Sequence, residues 1–263
     1  MHELRESQFQ ALLADARNDP DVVGVFLFGS RSREGFVDER SDYDVGVVVA
    51  DRQGALAAFD ERWPYAHGAG VEIASTTLSG LREHGEYGSP TEWARYQYTR
   101  VALLIDKSGE VETILRAKER VPDGLRARVV EDALGGYVNS TYRSLRNRMV
   151  GVEQAARLDA AESLPHALTA IFAMEARVRP FNKYLEWELR SHPLADHAWG
   201  ADILLPRLDA VLTGEADEQH ALFRDVERVA RENEFASGID EWEPDVAWLR
   251  GMSEYRGNAG SAH

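Results

Sequence analysis

Two aspartates, Asp42 and Asp44, open a short apolar run that is typical of a β-strand. Because side chains alternate along a strand, residues i and i+2 project from the same face, and these two carboxylates can bind one cation. Carboxylate oxygens suit Mg²⁺, which usually takes one or two protein carboxylates and completes its shell with water and substrate phosphates. The alternative is a pair of acids on a solvated turn or strand edge.

Gly29 and Ser30 end the apolar run that precedes the aspartates, and a polar loop of residues 31–41 follows them. Gly29 has no side chain that would exclude a phosphate, and Ser30 offers a hydroxyl and a backbone N–H. If a helix begins after Ser30, the positive end of its dipole faces the anion. The turn and the two acids together predict a site for a metal-bound triphosphate.

Three arginines lie among acids in this loop, namely Arg31, Arg33 and Arg40. Any one of them is a candidate for a phosphate contact, and the sequence does not choose between them.

A third carboxylate, Glu72, lies between Val71 and Ile73 in another apolar run. An isolated acid on such a strand must be solvated, paired or bound to metal, because burying it alone is costly. If its strand lies beside that of Asp42 and Asp44, Glu72 can join them as a ligand or as a general base. The alternative is a solvent-facing glutamate on an edge strand, in which case the nearest substitutes are Glu83, Glu86 and Glu92.

These residues resemble the signature of the DNA polymerase β-like nucleotidyltransferase superfamily, in which a Gly-Ser turn precedes an Asp-x-Asp strand and a later third acid. The matching segments lie within about residues 22–76: Gly29-Ser30, Ser41-Asp42-Tyr43-Asp44-Val45 and Val71-Glu72-Ile73. A small catalytic domain followed by a helical one further resembles the antibiotic nucleotidyltransferases, especially aminoglycoside adenylyltransferases of the streptomycin/spectinomycin type.

The resemblance implies that Asp42 and Asp44 bind Mg²⁺, that Gly29 and Ser30 hold the triphosphate, and that Glu72 accepts a proton from the acceptor hydroxyl. The implied reaction is transfer of AMP from ATP to a hydroxyl of a small molecule, such as an aminoglycoside-like antibiotic, with release of pyrophosphate. It also makes Lys183 a candidate for triphosphate contact, because these enzymes bring a lysine from the helical domain to the nucleotide. The alternative for Lys183 is a surface lysine after a turn.

Two other functions fit the same residues. In one, the acceptor is a protein side chain, as in the shorter antitoxin-like nucleotidyltransferases. In the other, the chain is a non-catalytic nucleotide-binding or partner-binding protein, against which the three retained acids count.

Helices and strands alternate around these residues up to about residue 120, which indicates an α+β domain with a mixed central sheet. The predicted strands are residues 21–30, 42–50, 70–76 and 100–106, and the predicted helices are residues 4–18 and 53–63.

Beyond Pro122 the periodicity becomes helical, as in residues 125–155 and 163–178, without a convincing strand. We therefore predict a catalytic domain over residues 1–120 and an all-helical bundle domain over 121–263 that binds substrate or nucleotide. The last dozen residues are small and polar, which predicts a frayed end.

Two charged stretches of the helical half are secondary candidates. Arg143, Arg146 and Arg148 lie in a segment without acids and are candidates for nucleotide contact, although exposed helix arginines are usually solvated or paired. The segment 214–250 carries 11 acids and 4 arginines, which is typical of a solvated helical face or of a surface that attracts a cationic substrate.

The composition excludes several classes. The formal charge is −15, from 30 Lys and Arg against 45 Asp and Glu, which disfavours a nucleic-acid-binding surface and fits a cationic acceptor. The absence of cysteine excludes disulfides, thiolate metal sites and a cysteine nucleophile. The N-terminal residues do not have the layout of a signal peptide, and no apolar run is long enough to span a membrane, so we expect a cytoplasmic protein without membrane partners.

Overall fold

The computed structural model describes residues 2–37, 41–65 and 70–252 of the chain. These residues form two compact units, of which the first ends at Arg120 and the second begins at Val121. The first unit combines helices with a four-stranded mixed sheet, and the second is helical throughout its described residues. The predicted fold class, α+β with a mixed sheet and a helical C-terminal part, is confirmed, whereas the roles of the two parts remain predictions.

The elements of the first unit follow the predicted alternation. In chain order they are α1 (His2–Asn18), β1 (Val22–Phe28), β2 (Tyr43–Val49), α2 (Ala55–Arg62), β3 (Val71–Thr77), α3 (Leu78–Glu83), β4 (Ala102–Asp106) and α4 (Glu110–Lys118). Short 3₁₀ segments cover Gly29–Ser32 and Glu92–Tyr98.

The strands of the sheet are ordered β3-β2-β1-β4. Strand β1 is antiparallel to both of its neighbours, whereas β2 and β3 run parallel. Parallel strands need a crossover connection, which α2 supplies here. The strand with the predicted aspartates is therefore central, and the strand with Glu72 is its neighbour at the sheet edge.

Alternation along β2 divides its side chains between two apolar layers. Tyr43, Val45, Val47 and Val49 pack with α1 and α2, in a cluster that includes Phe9, Leu12, Leu13, Phe59 and Ile73. The opposite layer packs with α3 and α4 and includes Phe26, Val48, Leu78, Leu81, Val111 and Leu115. Each fully buried aliphatic or aromatic side chain contributes about 1.5–3 kcal/mol to folding. The face of Asp44 therefore continues at its far end into the α3/α4 layer.

The helices of the second unit are α5 (Asp123–Met149), α6 (Glu153–Met174), α7 (Leu185–Ser191), α8 (Ala201–Thr213), α9 (Ala216–Glu232), α10 (Ser237–Asp240) and α11 (Asp245–Leu249). The long helices α5 and α6 form an antiparallel pair, because Ser144 donates a hydrogen bond to the carbonyl of Ala156 (2.7 Å) and Gly136 lies against His166.

The helical periodicity of residues 125–155 is divided between α5 and α6, and that of residues 163–178 lies in α6 up to Met174. Helix α5 ends at Met149 because Gly151 adopts a left-handed conformation (φ 79°). The N–H of Gly151 bonds to the carbonyl of Arg148 (3.0 Å) and that of Val152 to Asn147 (2.8 Å), which is a Schellman motif. Helix α6 then starts at Glu153 and continues through Pro165 to Met174.

Two further predictions concern the C-terminal residues and membrane-spanning segments. Of the last dozen residues, which are predicted to be frayed, all but Met252 lie outside the described residues. Among the helices that the structure describes, none combines the length and the apolarity needed to cross a lipid bilayer.

Candidate functional site

Two of the predicted site acids, Asp44 and Glu72, are direct neighbours in the sheet. In the parallel pairing of β2 with β3, Asp44 is opposite Glu72, and on its other side Asp44 is opposite Phe28 of β1. Paired residues of adjacent strands project their side chains from the same face. Both acids are half-buried. The sheet therefore brings these two carboxyl groups to one face, near the start of β2.

Asp42 directly precedes β2, two residues before Asp44, so strand alternation predicts that the two side chains share a face. Its Oδ1 lies 3.5 Å from Nη1 of Arg5, a residue of α1. The intervening Tyr43 points to the opposite face, where its ring stacks on Phe9 with centroids 4.3 Å apart and its hydroxyl donates to Glu6. Sequence reasoning missed Arg5, because nothing in the linear pattern links α1 to this strand.

Gly29 is required at the turn for two separate reasons. Its φ of 67° lies in the left-handed region that favours glycine. In addition, a Cβ at this position would overlap the carboxylate of Asp44 and lie 2.8 Å from its Cγ. The turn backbone thus packs directly on the central acid.

The residues that follow form a single 3₁₀ turn, Gly29–Ser32, rather than a longer helix. Ser30 within it is buried. The helix dipole is conditional on a helix beginning after Ser30, and this short turn does not meet that condition. The phosphate-binding roles of Gly29 and Ser30 rest on the turn itself and remain predictions.

The loop arginines differ in accessibility. Arg33 is 2% exposed and donates hydrogen bonds to the carbonyls of Gly29 and Thr99, so it braces the turn from inside. Arg31 donates to the carbonyl of Ser41 from Nε (3.1 Å) and Nη2 (2.9 Å), and its guanidinium lies 3.8 Å above the ring of Tyr43. Arg31 therefore ties the two ends of the loop together. Arg40 lies outside the described residues.

The acids of the site fit a metal ion with two carboxylate ligands. Within residues 2–37, 41–65 and 70–252, no three His, Asp or Glu side chains are grouped closely enough to hold one ion. The three acids share a face but are not gathered into a three-ligand cluster, so Glu72 is a better candidate for a base than for a ligand. Asp42 and Asp44 alone fit Mg²⁺, which accepts two carboxylates and takes its other ligands from water and phosphate.

The substitutes for Glu72 are engaged elsewhere or lie outside this strand pair. Glu86 accepts hydrogen bonds from the buried side chains of Lys118 and Arg95, and these three residues are referred to below as the Lys118 clamp. Glu92 accepts from the backbone N–H of Gly88 (2.7 Å). Glu83 is exposed at the end of α3. Among these acids, Glu72 alone lies in register with Asp44.

The Lys118 clamp holds its charges inside the scaffold. The ammonium of Lys118 also donates to the carbonyls of Arg82 (2.8 Å) and His84 (3.0 Å). Burial raises the pKa of Glu86, but the hydrogen bonds and positive charges of Lys118 and Arg95 outweigh it and leave that pKa below its ordinary value. Burial lowers the pKa of Lys118. The clamp fixes the segment after α3 against the end of α4.

The candidates of the helical unit have different environments. Lys183 is exposed in a 3₁₀ turn, with its ammonium 5.4 Å from the ring centroid of Tyr184. Arg143 is ion-paired with Asp159, which is buried between α5 and α6, so this arginine joins two helices. Triphosphate contact by Lys183 remains a prediction.

Five of the eleven acids in the segment 214–250 are paired with arginines of the same segment. Arg228 pairs with Asp225 and Glu232, Arg231 with Glu227 and Asp240, and Arg250 with Glu227 and Glu243. This network favours a structural role over attraction of a cationic substrate.

No protein-family model matches the sequence, and no curated protein matches it. Among solved structures, the chain is similar to the crystal structure of a nucleotidyltransferase-like protein from Exiguobacterium sibiricum, with 11% sequence identity and a TM-score of 0.38. The alignment covers 94% of this chain and 89% of the other. A likeness at this level assigns no activity to the chain, so the functional argument rests on the site residues.

Proposed function

We propose that the chain is a Mg²⁺-dependent nucleotidyltransferase that transfers AMP from ATP to a hydroxyl of a small molecule. The observation that carries the proposal is the pairing of Asp44 with Glu72 on adjacent parallel strands, beside a glycine turn that packs on Asp44. Asp42, two residues earlier, completes a face with three carboxyl groups. Acids in this arrangement serve metal binding and proton transfer at a phosphate ester.

In this proposal each residue has a distinct task. Asp42 and Asp44 would hold Mg²⁺, and the ion would supply stabilisation of negative charge on the attacking and leaving oxygens. Glu72 accepts the proton of the acceptor hydroxyl as its oxygen attacks the α-phosphorus. The bond from the α-phosphorus to the bridging oxygen breaks, and pyrophosphate leaves with the electron pair. Gly29 leaves room for the carboxylate of Asp44, and the turn of Gly29 and Ser30 would hold the triphosphate.

Asp42 can have either of two cationic partners in this proposal. In the structure its partner is the guanidinium of Arg5, and in the metal-bound enzyme it would be Mg²⁺. Binding of Mg²⁺ to Asp42 therefore competes with Arg5. An exposed or half-exposed ion pair contributes no more than about 1 kcal/mol, so the metal displaces it at modest cost.

The proposal also includes the class of acceptor and a nucleotide contact from the helical unit. The net charge of −15 favours a cationic acceptor, of which an aminoglycoside is the example we propose. Lys183 is proposed to contact the triphosphate from the helical unit.

The test is a transfer assay with the purified chain, Mg²⁺, α-labelled ATP and a panel of aminoglycosides and lincosamides. We expect label on one acceptor together with stoichiometric pyrophosphate, and loss of both when EDTA removes the metal. Asp44→Asn should abolish transfer. Asp132→Asn, at an exposed position of α5, is the matched control and should leave transfer unchanged.

Each other outcome excludes part of the proposal. Label on a co-purified protein rather than on a drug would favour the protein-modifying alternative. Binding of ATP without turnover on any acceptor would favour the non-catalytic alternative. Full activity of Asp44→Asn would remove the metal site assigned here.

A further inference from the structure

A cavity of about 490 Å³ lies within the helical unit, lined by α6, by the segment 179–186 and by α8. Its apolar wall includes four leucines from three helices, Leu164, Leu168, Leu185 and Leu208. Cavities of this size and lining take small organic molecules, which bury an apolar body and orient it by a few polar groups. None of the functions proposed above uses this cavity.

Arg179 is the polar group that gives the cavity a charge preference. Its Nη2 donates to Oδ1 of Asn182 (2.8 Å), while its Nε is buried and makes no hydrogen bond with any residue that the structure describes. Burial lowers the pKa of this guanidinium, because apolar surroundings disfavour its charge. The Arg179 side chain lines the cavity, and its guanidinium has five N–H donors, of which the bond to Asn182 uses one.

Two other arginines of the same unit have carboxylate partners. Arg207 on α8 donates to both Glu218 and Asp225. Arg250 is held by Glu227 and Glu243. The described contacts of Arg179 include no such carboxylate, so its charge can be met by an anionic ligand.

Two acids at the rim have to be reconciled with an anionic ligand. Glu186 pairs with Arg190 of α7 at 2.9 Å, so its charge is compensated outside the cavity. Asp209 is exposed and therefore solvated. Arg179 faces neither acid within ion-pairing distance among the described residues, and its planar fork suits a carboxylate.

We infer that this cavity binds a small amphipathic carboxylate, with its apolar chain against the leucines and its carboxylate accepting hydrogen bonds from Arg179. The assignment does not depend on the proposed transfer reaction. Asn182 is a further donor, because its amide oxygen is occupied by Arg179 and its amide nitrogen is left to bond the ligand.

The test is calorimetric titration of the full chain with three probes of equal chain length: octanoate, 1-octanol and octylammonium. Octanoate is expected to bind at least about tenfold more tightly than octanol, a difference of about 1.4 kcal/mol. Octylammonium is expected to bind more weakly than either. No binding of octanoate, or tighter binding of octylammonium, overturns the assignment without any variant.

Variants then locate the site. Arg179→Gln should reduce octanoate affinity to that of octanol and leave octanol unchanged. Ala161→Phe, which fills the cavity from α6, should abolish binding of both. Ala155→Phe is the control, since Ala155 is a half-buried position of the same helix outside the cavity lining. Thermal unfolding of each variant checks that it folds. Unchanged octanoate binding in Arg179→Gln or in Ala161→Phe, each shown to be folded, would contradict the inference.

Discussion

The first unit, which ends at Arg120, places charged side chains in two different settings. In the Lys118 clamp, Lys118 is 1% exposed and Arg95 3%, and both donate to backbone carbonyls as well as to Glu86. On the carboxylate face of β2 and β3, Asp42 is 35% exposed, and Asp44 and Glu72 are half-buried. The cations of the clamp therefore bond to other groups of the protein, whereas the acids of the carboxylate face can exchange their partners for solvent or a ligand.

The two settings differ in the burial of their charged groups and in the bonds to backbone carbonyls. These features distinguish the structural ion pairs of the clamp from the candidate site. Glu72 and Glu86 are both glutamates close to a strand or helix end. Glu72 lies beside Asp44 on the carboxylate face, whereas Glu86, whose side chain is 46% exposed, accepts hydrogen bonds from the buried cations Lys118 and Arg95. Four predictions test this contrast.

The largest expected effect is on the carboxylate face. Glu72→Gln should lower the rate of nucleotidyl transfer about 10²–10⁴-fold, because the amide cannot accept the hydroxyl proton. The free energy of unfolding should change by less than about 0.5 kcal/mol, since the substitution is nearly isosteric. Glu83→Gln, at an exposed position of α3, is the control for rate and stability. Equal rates of the two variants would move the base away from Glu72.

The second effect is on the clamp. Lys118→Ala should lower the free energy of unfolding by about 3 kcal/mol, because it leaves Glu86 and two carbonyls without their buried donor. Lys107→Ala is the matched control, since Lys107 is an exposed lysine that also donates to two carbonyls, those of Ala16 and Asp19. Urea unfolding should give less than about 1 kcal/mol for the control. Similar losses at both positions would show that burial is not what distinguishes the clamp.

The third effect concerns the turn beneath Asp44. Gly29→Ala should cost about 2 kcal/mol or more, from the left-handed backbone and from overlap with the carboxylate. Gly35→Ala isolates the first term, because Gly35 has a φ of 75° and nothing within 4 Å of the added methyl. That control should cost about 1 kcal/mol in the same urea titration. A cost at Gly29 no larger than at Gly35 would mean that Asp44 moves away freely.

The smallest effect is a pH dependence of the clamp region. Burial, followed by the charge of Lys118, lowers the pKa of His84, whose Nδ1 lies 2.7 Å from the hydroxyl of Tyr98 and 3.4 Å from the amide of Gln97. The ordinary pKa of a histidine is 6.5. Below that pH, His84 binds a proton in the unfolded chain more readily than in the folded chain, where its pKa is lowered. The free energy of unfolding should therefore fall between pH 7.5 and pH 5.5.

His84→Gln should flatten this part of the profile, measured as the difference in urea unfolding between the two pH values. Glu86 does not contribute in this window, because its pKa lies below its ordinary value of 4.5. An unchanged slope in the variant would place the proton uptake on another group.

The strands could be predicted because they are short apolar runs: three predicted runs contain an observed strand, and the run 70–76 ends one residue before β3 does. The shared face of Asp42 and Asp44 followed from alternation alone. The neighbour relation of β2 and β3 was a condition in the sequence argument, since adjacency of strands is a tertiary property that no local pattern encodes. The structure meets that condition.

Long-range partners could not be predicted. Lys118 has the appearance of an ordinary lysine in the last turn of a helix, and only the fold brings it under Glu86. Arg5 is an unremarkable charge on an amphipathic helix until α1 packs across β2. By contrast, Gly151 is a helix-stop residue that the sequence does offer, and the helical periodicity on both sides of it concealed the break.

The in-register pairing of β3 with β2 also constrains how this chain can vary. A shift of β3 by one residue would turn Glu72 into the layer occupied by Phe9 and Leu12 and turn Ile73 outward, because side chains alternate with a period of two. Insertions within Val71–Thr77 would thus remove the acid and the hydrophobic contact in one step. Length changes in the connection before Val71 leave the pairing untouched, so variation in this part of the chain should accumulate between α2 and β3.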